Sequence, residues 1–298
     1  MTINKFTHFL RLIRINNLLI LFLIQFLLHY FVFENNGNLQ FYLLAIITFL
    51  ITAAGYIIND IFDVKSDLIN KKDKVIIGNH ISSRHAIFWY YLFNSIAILL
   101  SLYLVCLVNN YYLLLIFLST IYVLWWYSRR YKHILLFGNL TVSILTSLYI
   151  YNVFLFSDYS SVSFNHERFY VTITFVFFSF FLTLSREIIK DLEDIEGDKL
   201  MNSKNMAFTL SLNKTKWIVS ILLLIVLYPL IEWFLEIFED NNLIILIYSI
   251  NLFLLIIYTI YKIVKSDKKQ DFSKISQLLK FIMILGIFSI PLFYYLFK

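Results

Sequence analysis

Residues 39–67 read LQFYLLAIITFLITAAGYIINDIFDVKSD. Residues 39–58 carry no charge, and Asp60, Asp63 and Asp67 follow directly. A helix needs about 20 apolar residues to cross the hydrocarbon core of a membrane, so this stretch reads as one crossing with aspartates at its end. Working outward, nine such runs appear: 15–33, 39–58, 86–108, 111–127, 134–156, 169–186, 217–238, 242–264 and 278–297. They are continuous rather than alternating, which argues against barrel strands and for helices that satisfy their own backbone. The expected fold is all-α and integral to the membrane. It has nine transmembrane helices, arranged as two four-helix units plus a ninth helix. The first run is not read as a cleavable signal, because Glu34-Asn35-Asn36-Gly37 and eight further apolar runs follow it.

Composition agrees. The chain has 298 residues, 60% of them hydrophobic and 15% charged, against roughly 45–50% and about 25% in water-soluble domains. Soluble domains, disorder and disulfide scaffolds are excluded; with Cys106 the single cysteine, no internal disulfide is possible. Cys106 reads as a small packed hydrophobe. Residues 1–298 read as a single membrane-embedded domain. The net charge is +6, and 23 of the 25 basic residues fall before the first run or after the second, fourth, sixth and eighth. Only Arg168 and Lys298 lie on the other side. Basic loops mark the cytoplasmic face, so the N-terminus is expected inside and the C-terminus outside. The same distribution explains the positive charge without nucleic acid, the basic loops facing anionic lipid headgroups.

Acidic residues on that basic face need a reason. Asp60, Asp63 and Asp67 stand at i, i+3 and i+7, and Asp191, Asp194 and Asp198 repeat the spacing after the sixth run, four helices later. On a helix these positions share one face. Three like charges on a face repel, so cations must compensate them. Lysines are one choice; hard divalent ions are another, since Mg2+ takes one or two carboxylates, several waters and substrate phosphate oxygens. Two facing clusters are expected to hold Mg2+ and, between them, a diphosphate.

The segment Asn59-Asp60-x-x-Asp63-x-x-x-Asp67, paired with Asp191-x-x-Asp194-x-x-x-Asp198, resembles the two acidic motifs of the UbiA superfamily of intramembrane prenyltransferases. Arg14-Ile15-Asn16-Asn17 is similar to that family's start of the first helix, without its proline. Lys74 stands where an arginine is expected after the first motif. Tyr127-Ser128-Arg129-Arg130-Tyr131-Lys132, followed by Gly138-Asn139, is similar to the segment in which a lysine reaches phosphate. The resemblance implies metal ligation by Asn59, Asp60, Asp63, Asp67, Asp191, Asp194 and Asp198, the six aspartates being catalytic. It implies diphosphate contacts from Arg14, Asn17, Asn59, Lys74, Lys132 and Lys190. Ser185–Asp198 looks most like the branch that attaches a geranylgeranyl group to geranylgeranylglyceryl phosphate.

The implied protein is therefore a multi-pass enzyme of a bacterial or archaeal cell membrane with its active site facing the cytoplasm. It moves a prenyl group from a prenyl diphosphate to a lipophilic acceptor, with Mg2+ as cofactor and membrane lipids around it. Prenylation of an aromatic quinone precursor is the alternative acceptor chemistry, and a divalent-cation transporter the alternative class. A transporter site belongs near the bilayer midplane on broken helices, whereas these carboxylates sit at the cytoplasmic edge. The histidines show no zinc-like spacing. Trp125, Trp126 and Tyr127 read as an interfacial aromatic belt.

Overall fold

The computed structural model describes residues 5–33, 39–70, 72, 75–157, 166–195, 209–239 and 243–296. The helices are α1 (Lys5–Leu12), α2 (Ile15–Leu27, continued by a π turn over Leu28–Val32), α3 (Leu39–Asn70), α4 (Ser83–Val108), α5 (Leu114–Arg129), α6 (Phe137–Ser157), α7 (His166–Glu193), α8 (Leu212–Glu239), α9 (Leu243–Lys265) and α10 (Lys269–Leu296). Nine of the described helical segments are long and apolar enough to cross a membrane, and they coincide with the nine runs read from the sequence. The ends differ. α3 continues to Asn70, α7 to Glu193, and α10 starts at Lys269. Hydropathy changes at the headgroups, but nothing there interrupts the i to i−4 hydrogen bonds, so the helices run on past the apolar core.

α1 was not anticipated. It buries His8 and Leu12, one turn apart on one face, and packs against α2 and α3. Arg14 separates it from α2 by adopting φ 52°, ψ 52°, a left-handed conformation that disfavours a side-chain-bearing residue by roughly 1–2 kcal/mol. The loop after α3 tucks Ile77 into the same cluster as Leu12, Ala53, Ile57 and Ala86, with Ile76 and Ile81 packed against it, and Val75 is buried nearby in the sequence. Apolar residues in an otherwise charged loop thus fold it down onto the helix ends.

Lipid is as apolar as leucine, so helices in a membrane associate through close packing and polar contacts rather than hydrophobic burial. α3 and α4 pack against each other, and both bury small residues: Ala53 and Ala54 on one, Ala86, Ala97 and Ser101 on the other. Gly55 lets α5 approach: a Cβ there would meet Leu124 at 3.0 Å. Gln25 donates to the Tyr149 carbonyl at 3.1 Å and accepts from Thr48 at 3.2 Å, tying α2, α3 and α6 together.

The buried apolar residues form three clusters: one joins α1–α4, one joins α3–α5 with Phe156 of α6, and the largest joins α6–α10 with α2. α10 packs on both α7 and α2, whose Ile24 and Leu27 belong to the largest cluster, and this closes the bundle. Cys106 is exposed on α4 rather than packed. An apolar run read along the chain does not distinguish a lipid-facing residue from a buried one.

Candidate active site

At the end of the bundle that carries the acidic segments, α2, α3, α5, α6, α7 and α10 surround a cavity of about 300 Å3. Asp60 and Asp63 project from the last turns of α3, on one helix face as expected. Arg14 Nη2 donates to Asp60 Oδ1 at 2.8 Å, and its guanidinium lies over the Tyr56 ring at 4.8 Å. Burial opposes the Arg14 charge, but Asp60, Tyr56 and Asp63 outweigh it and raise its pKa above the ordinary guanidinium value. Lys132 Nζ pairs with Asp63. A short 3-10 turn, Tyr131–His133, carries that lysine. Gly138 permits the turn, because a Cβ there would sit 2.8 Å from the Lys132 Cα.

The second acidic segment begins on α7. Asn139, at the start of α6, donates to Asp191 Oδ2 at 2.8 Å. Asp194 follows the end of the helix, its amide bonded to the Lys190 carbonyl at 2.9 Å. Lys190 Nζ donates to Glu187 Oε1 at 2.5 Å, and Arg186 Nη1 to the same oxygen at 3.3 Å. Tyr127, placed in an aromatic belt from the sequence, instead lines the cavity, within electrostatic reach of Asp63, Asp191 and Glu187. It stands between the two acidic segments. Lys74 and Asp198 lie outside the described residues.

The structure thus brings together Arg14, Asn17, Asn59, Asp60, Asp63, Lys132, Lys190 and Asp191 at one end of the bundle. Among the described residues no three acidic, histidine or cysteine side chains are grouped to hold a metal by themselves. Asp60 and Asp63 are instead compensated by Arg14 and Lys132. The donor set still suits a hard cation. Asn59 Oδ1 is buried without a hydrogen-bond partner among the described residues, beside two oxygen-only carboxylate ligands. Mg2+ ordinarily needs no more than this once phosphate and water complete its shell.

Among the wall residues not singled out from the sequence are Tyr56, Arg186, Glu187 and Lys280 at the charged mouth. Arg186 and Glu187 lie inside the quoted second segment, and their i, i+3 and i+4 relation to Lys190 and Asp191 was the available signal. Lys280 read as one more cytoplasmic lysine. From the charged mouth the cavity continues past Phe117 and Tyr149 to Phe175, Phe178 and Trp233, an aromatic and apolar far end.

A model of the UbiA prenyltransferase family matches residues 18–292. The chain belongs to this family. It is an integral, multi-pass membrane prenyltransferase. Among curated UbiA relatives, the digeranylgeranylglyceryl phosphate synthase of Saccharolobus solfataricus is 36% identical over 248 residues, covering 82% of this chain and 81% of the relative. The enzyme of the same name from Methanosphaera stadtmanae is 29% identical over 286 residues, covering 94% and 97%. A solved structure of a digeranylgeranylglyceryl phosphate synthase superposes with a TM-score of 0.68 at 25% identity, covering 97% of this chain and 98% of the other. A UbiA homologue from Archaeoglobus fulgidus bound to GPP and Mg2+ has the same fold, with a TM-score of 0.61 at 17% identity, covering 95% and 99%.

Proposed function

We propose that this chain, acting as one membrane-embedded domain, transfers a geranylgeranyl group from its diphosphate to the free hydroxyl of geranylgeranylglyceryl phosphate. The observation that carries the reading is the shape and charge of the cavity. Among the described residues its wall carries Arg14, Arg186, Lys190, Lys280 and Glu187, with Asp60 paired to Arg14 beside it, and its depth is apolar. Such a cavity suits a ligand with anionic heads and an isoprenoid tail. The relatives matched over most of their length carry the name of an enzyme for these substrates. An aromatic acid brings one negative charge, whereas a phosphate monoester brings about two.

Mg2+ would be held by Asn59, Asp60 and Asp63 on one side and by Asp191, Asp194 and Asp198 on the other, with Asp67 in support. When bound, it neutralises charge on the departing diphosphate. Arg14, Lys132 and Lys190, with Lys74 from the adjoining loop, supply fixed positive charge as the allylic C–O bond breaks and its electron pair leaves with the diphosphate. Phe175, Phe178 and Trp233 enclose the far end of the prenyl chain, and the surrounding bundle keeps water from the allylic cation nearer the mouth. The glycerol oxygen then bonds to the allylic carbon, and its proton leaves on a diphosphate oxygen. The charged mouth lies on the basic, cytoplasmic face.

The test is product identity. Membranes containing the protein are given labelled geranylgeranyl diphosphate together with geranylgeranylglyceryl phosphate, 4-hydroxybenzoate and a dihydroxynaphthoate. An ether lipid as main product is expected. Exclusive C-prenylation of an aromatic ring overturns the reading.

A further inference from the structure

The cations of the mouth fall into two sets. Arg14 and Lys132 are committed to Asp60 and Asp63. The second set lies on the α7–α10 seam. Arg186 donates through Nε to the Ser276 carbonyl at 3.3 Å, and Lys280 stands one turn further along α10. Ser276 and Lys280 are therefore on one face of that helix, which brings Arg186 and Lys280 to the same stretch of cavity wall. Glu187 is shared between Arg186 and Lys190. The partner of Lys280 is neutral: its Nζ donates to Asn17 Oδ1 at 2.7 Å. No carboxylate lies within 4.0 Å of it among the described residues.

An ammonium at the start of the apolar run of α10, facing a cavity and with no carboxylate within 4.0 Å among the described residues, is costly to keep. An interfacial lysine would extend to the headgroups, whereas this one turns inward to Asn17 on α2. Among the described residues no carboxylate compensates its charge. The diphosphate does not require it, because the acidic segments, their metal and the cations committed to them serve that group.

We propose that Arg186 and Lys280, with Asn17 as the neutral rest position of the lysine, form a separate seat for the phosphate monoester of the acceptor, opposite the diphosphate site. Two cations match the roughly two charges of a phosphate monoester. Arg186 offers a planar fork and Lys280 a mobile point charge. The seat makes the enzyme selective for a phosphorylated lipid alcohol over the same alcohol without phosphate. This assignment rests on the glyceryl phosphate reading above.

The experiment compares wild type with Lys280→Met, Lys280→Arg and Arg186→Met. The donor is geranylgeranyl diphosphate, and the acceptors are geranylgeranylglyceryl phosphate and unphosphorylated geranylgeranylglycerol. Loss of one charged contact predicts a rise of about ten-fold or more in the KM for the phosphorylated acceptor. The donor KM should move less than about two-fold, and the preference for phosphorylated over unphosphorylated acceptor should fall by a similar factor of about ten. Lys280→Arg is expected to restore much of that preference; a purely structural lysine would lower use of both acceptors alike. A raised donor KM with unchanged acceptor preference, or equal loss toward both acceptors, overturns the seat. If wild type itself transfers nothing to the phosphorylated acceptor, the functional reading falls, a result distinct from normal transfer with preference intact in Lys280→Met.

Discussion

Arg14 and Gly138 each carry an unusual demand for the sake of one charged contact. Arg14 adopts a left-handed backbone and in return brings its guanidinium to Asp60 at 2.8 Å. Gly138 leaves out a side chain so that the Lys132 backbone can pass, and Lys132 then reaches Asp63. Backbone strain persists where the surroundings over-determine it, and it concentrates at functional sites. Gly138→Ala should therefore push the 131–133 turn away and uncouple Lys132 from Asp63. The expected outcome is a fall of about ten-fold or more in kcat/KM, equivalent to about 1.4 kcal/mol or more of lost transition-state stabilisation. Membrane insertion should be unchanged, and initial-rate kinetics against the prenyl diphosphate, with yield after detergent extraction as control, check both. Asp60→Ala removes a proposed metal ligand and also the partner of Arg14. Transfer should be abolished at saturating Mg2+, as measured by pyrophosphate release. Normal release would remove Asp60 from the site. Like charges on one helix face make the loss of an aspartate a relief of repulsion, but here it also leaves the Arg14 guanidinium without its partner.

Helices position these groups by running past the membrane. α3 carries Asp60, Asp63 and Asp67, and α7 carries Asp191, near the ends of the two helices, so a one-residue slip of either helix would turn Asp60 or Asp191 by about 100°. α8 sets the other boundary of the cavity. From Leu212 to Trp233 it rises about 31 Å at 1.5 Å per residue, close to the ~30 Å thickness of the hydrocarbon core. Trp233 is buried against Phe175 and Phe178, with ring centroids 6.1 and 5.3 Å away, and closes the far end. Trp233→Ala should lengthen the apolar depth. Its expected effect is a several-fold rise in the use of a donor one isoprene unit longer relative to geranylgeranyl diphosphate, measured by competition between the two. A Trp to Ala change in a packed core costs about 3–5 kcal/mol, so lower thermal stability should accompany the altered preference. Unchanged donor preference would move the end of the prenyl channel elsewhere.

At the scale of the molecule, α10 packs on both α7 and α2 and closes the bundle. The charged residues of the cavity wall then lie together at one end of it. In a chain whose Cys106 has been replaced, a cysteine at Leu68, exposed at the end of α3, should react with an impermeant maleimide only after permeabilisation. One at Tyr112, exposed between α4 and α5, should react from outside. Outside labelling at Leu68 would invert the orientation and, with it, the cytoplasmic placement of the diphosphate.

The crossings, their number and the end that carries the acidic residues were legible along the chain, because the bilayer imposes a length and a charge asymmetry that hydropathy and basic residues report one position at a time. The spacing of Asp60, Asp63 and Asp67 was legible too, since helix periodicity is local. What only the tertiary structure decided is which side chains from distant helices meet. Asn17 and Lys280 are 263 positions apart and share a hydrogen bond. Tyr127 faces the cavity and Cys106 the outside of the bundle, although each lies in or at the edge of an apolar run. Inside lipid, apolarity is uniform around a helix and does not say which face turns inward. That choice is made by small residues that allow close approach, as at Gly55, and by polar pairs that must be satisfied between helices, as at Gln25 and Thr48. Both depend on a partner surface that exists only once the bundle has formed.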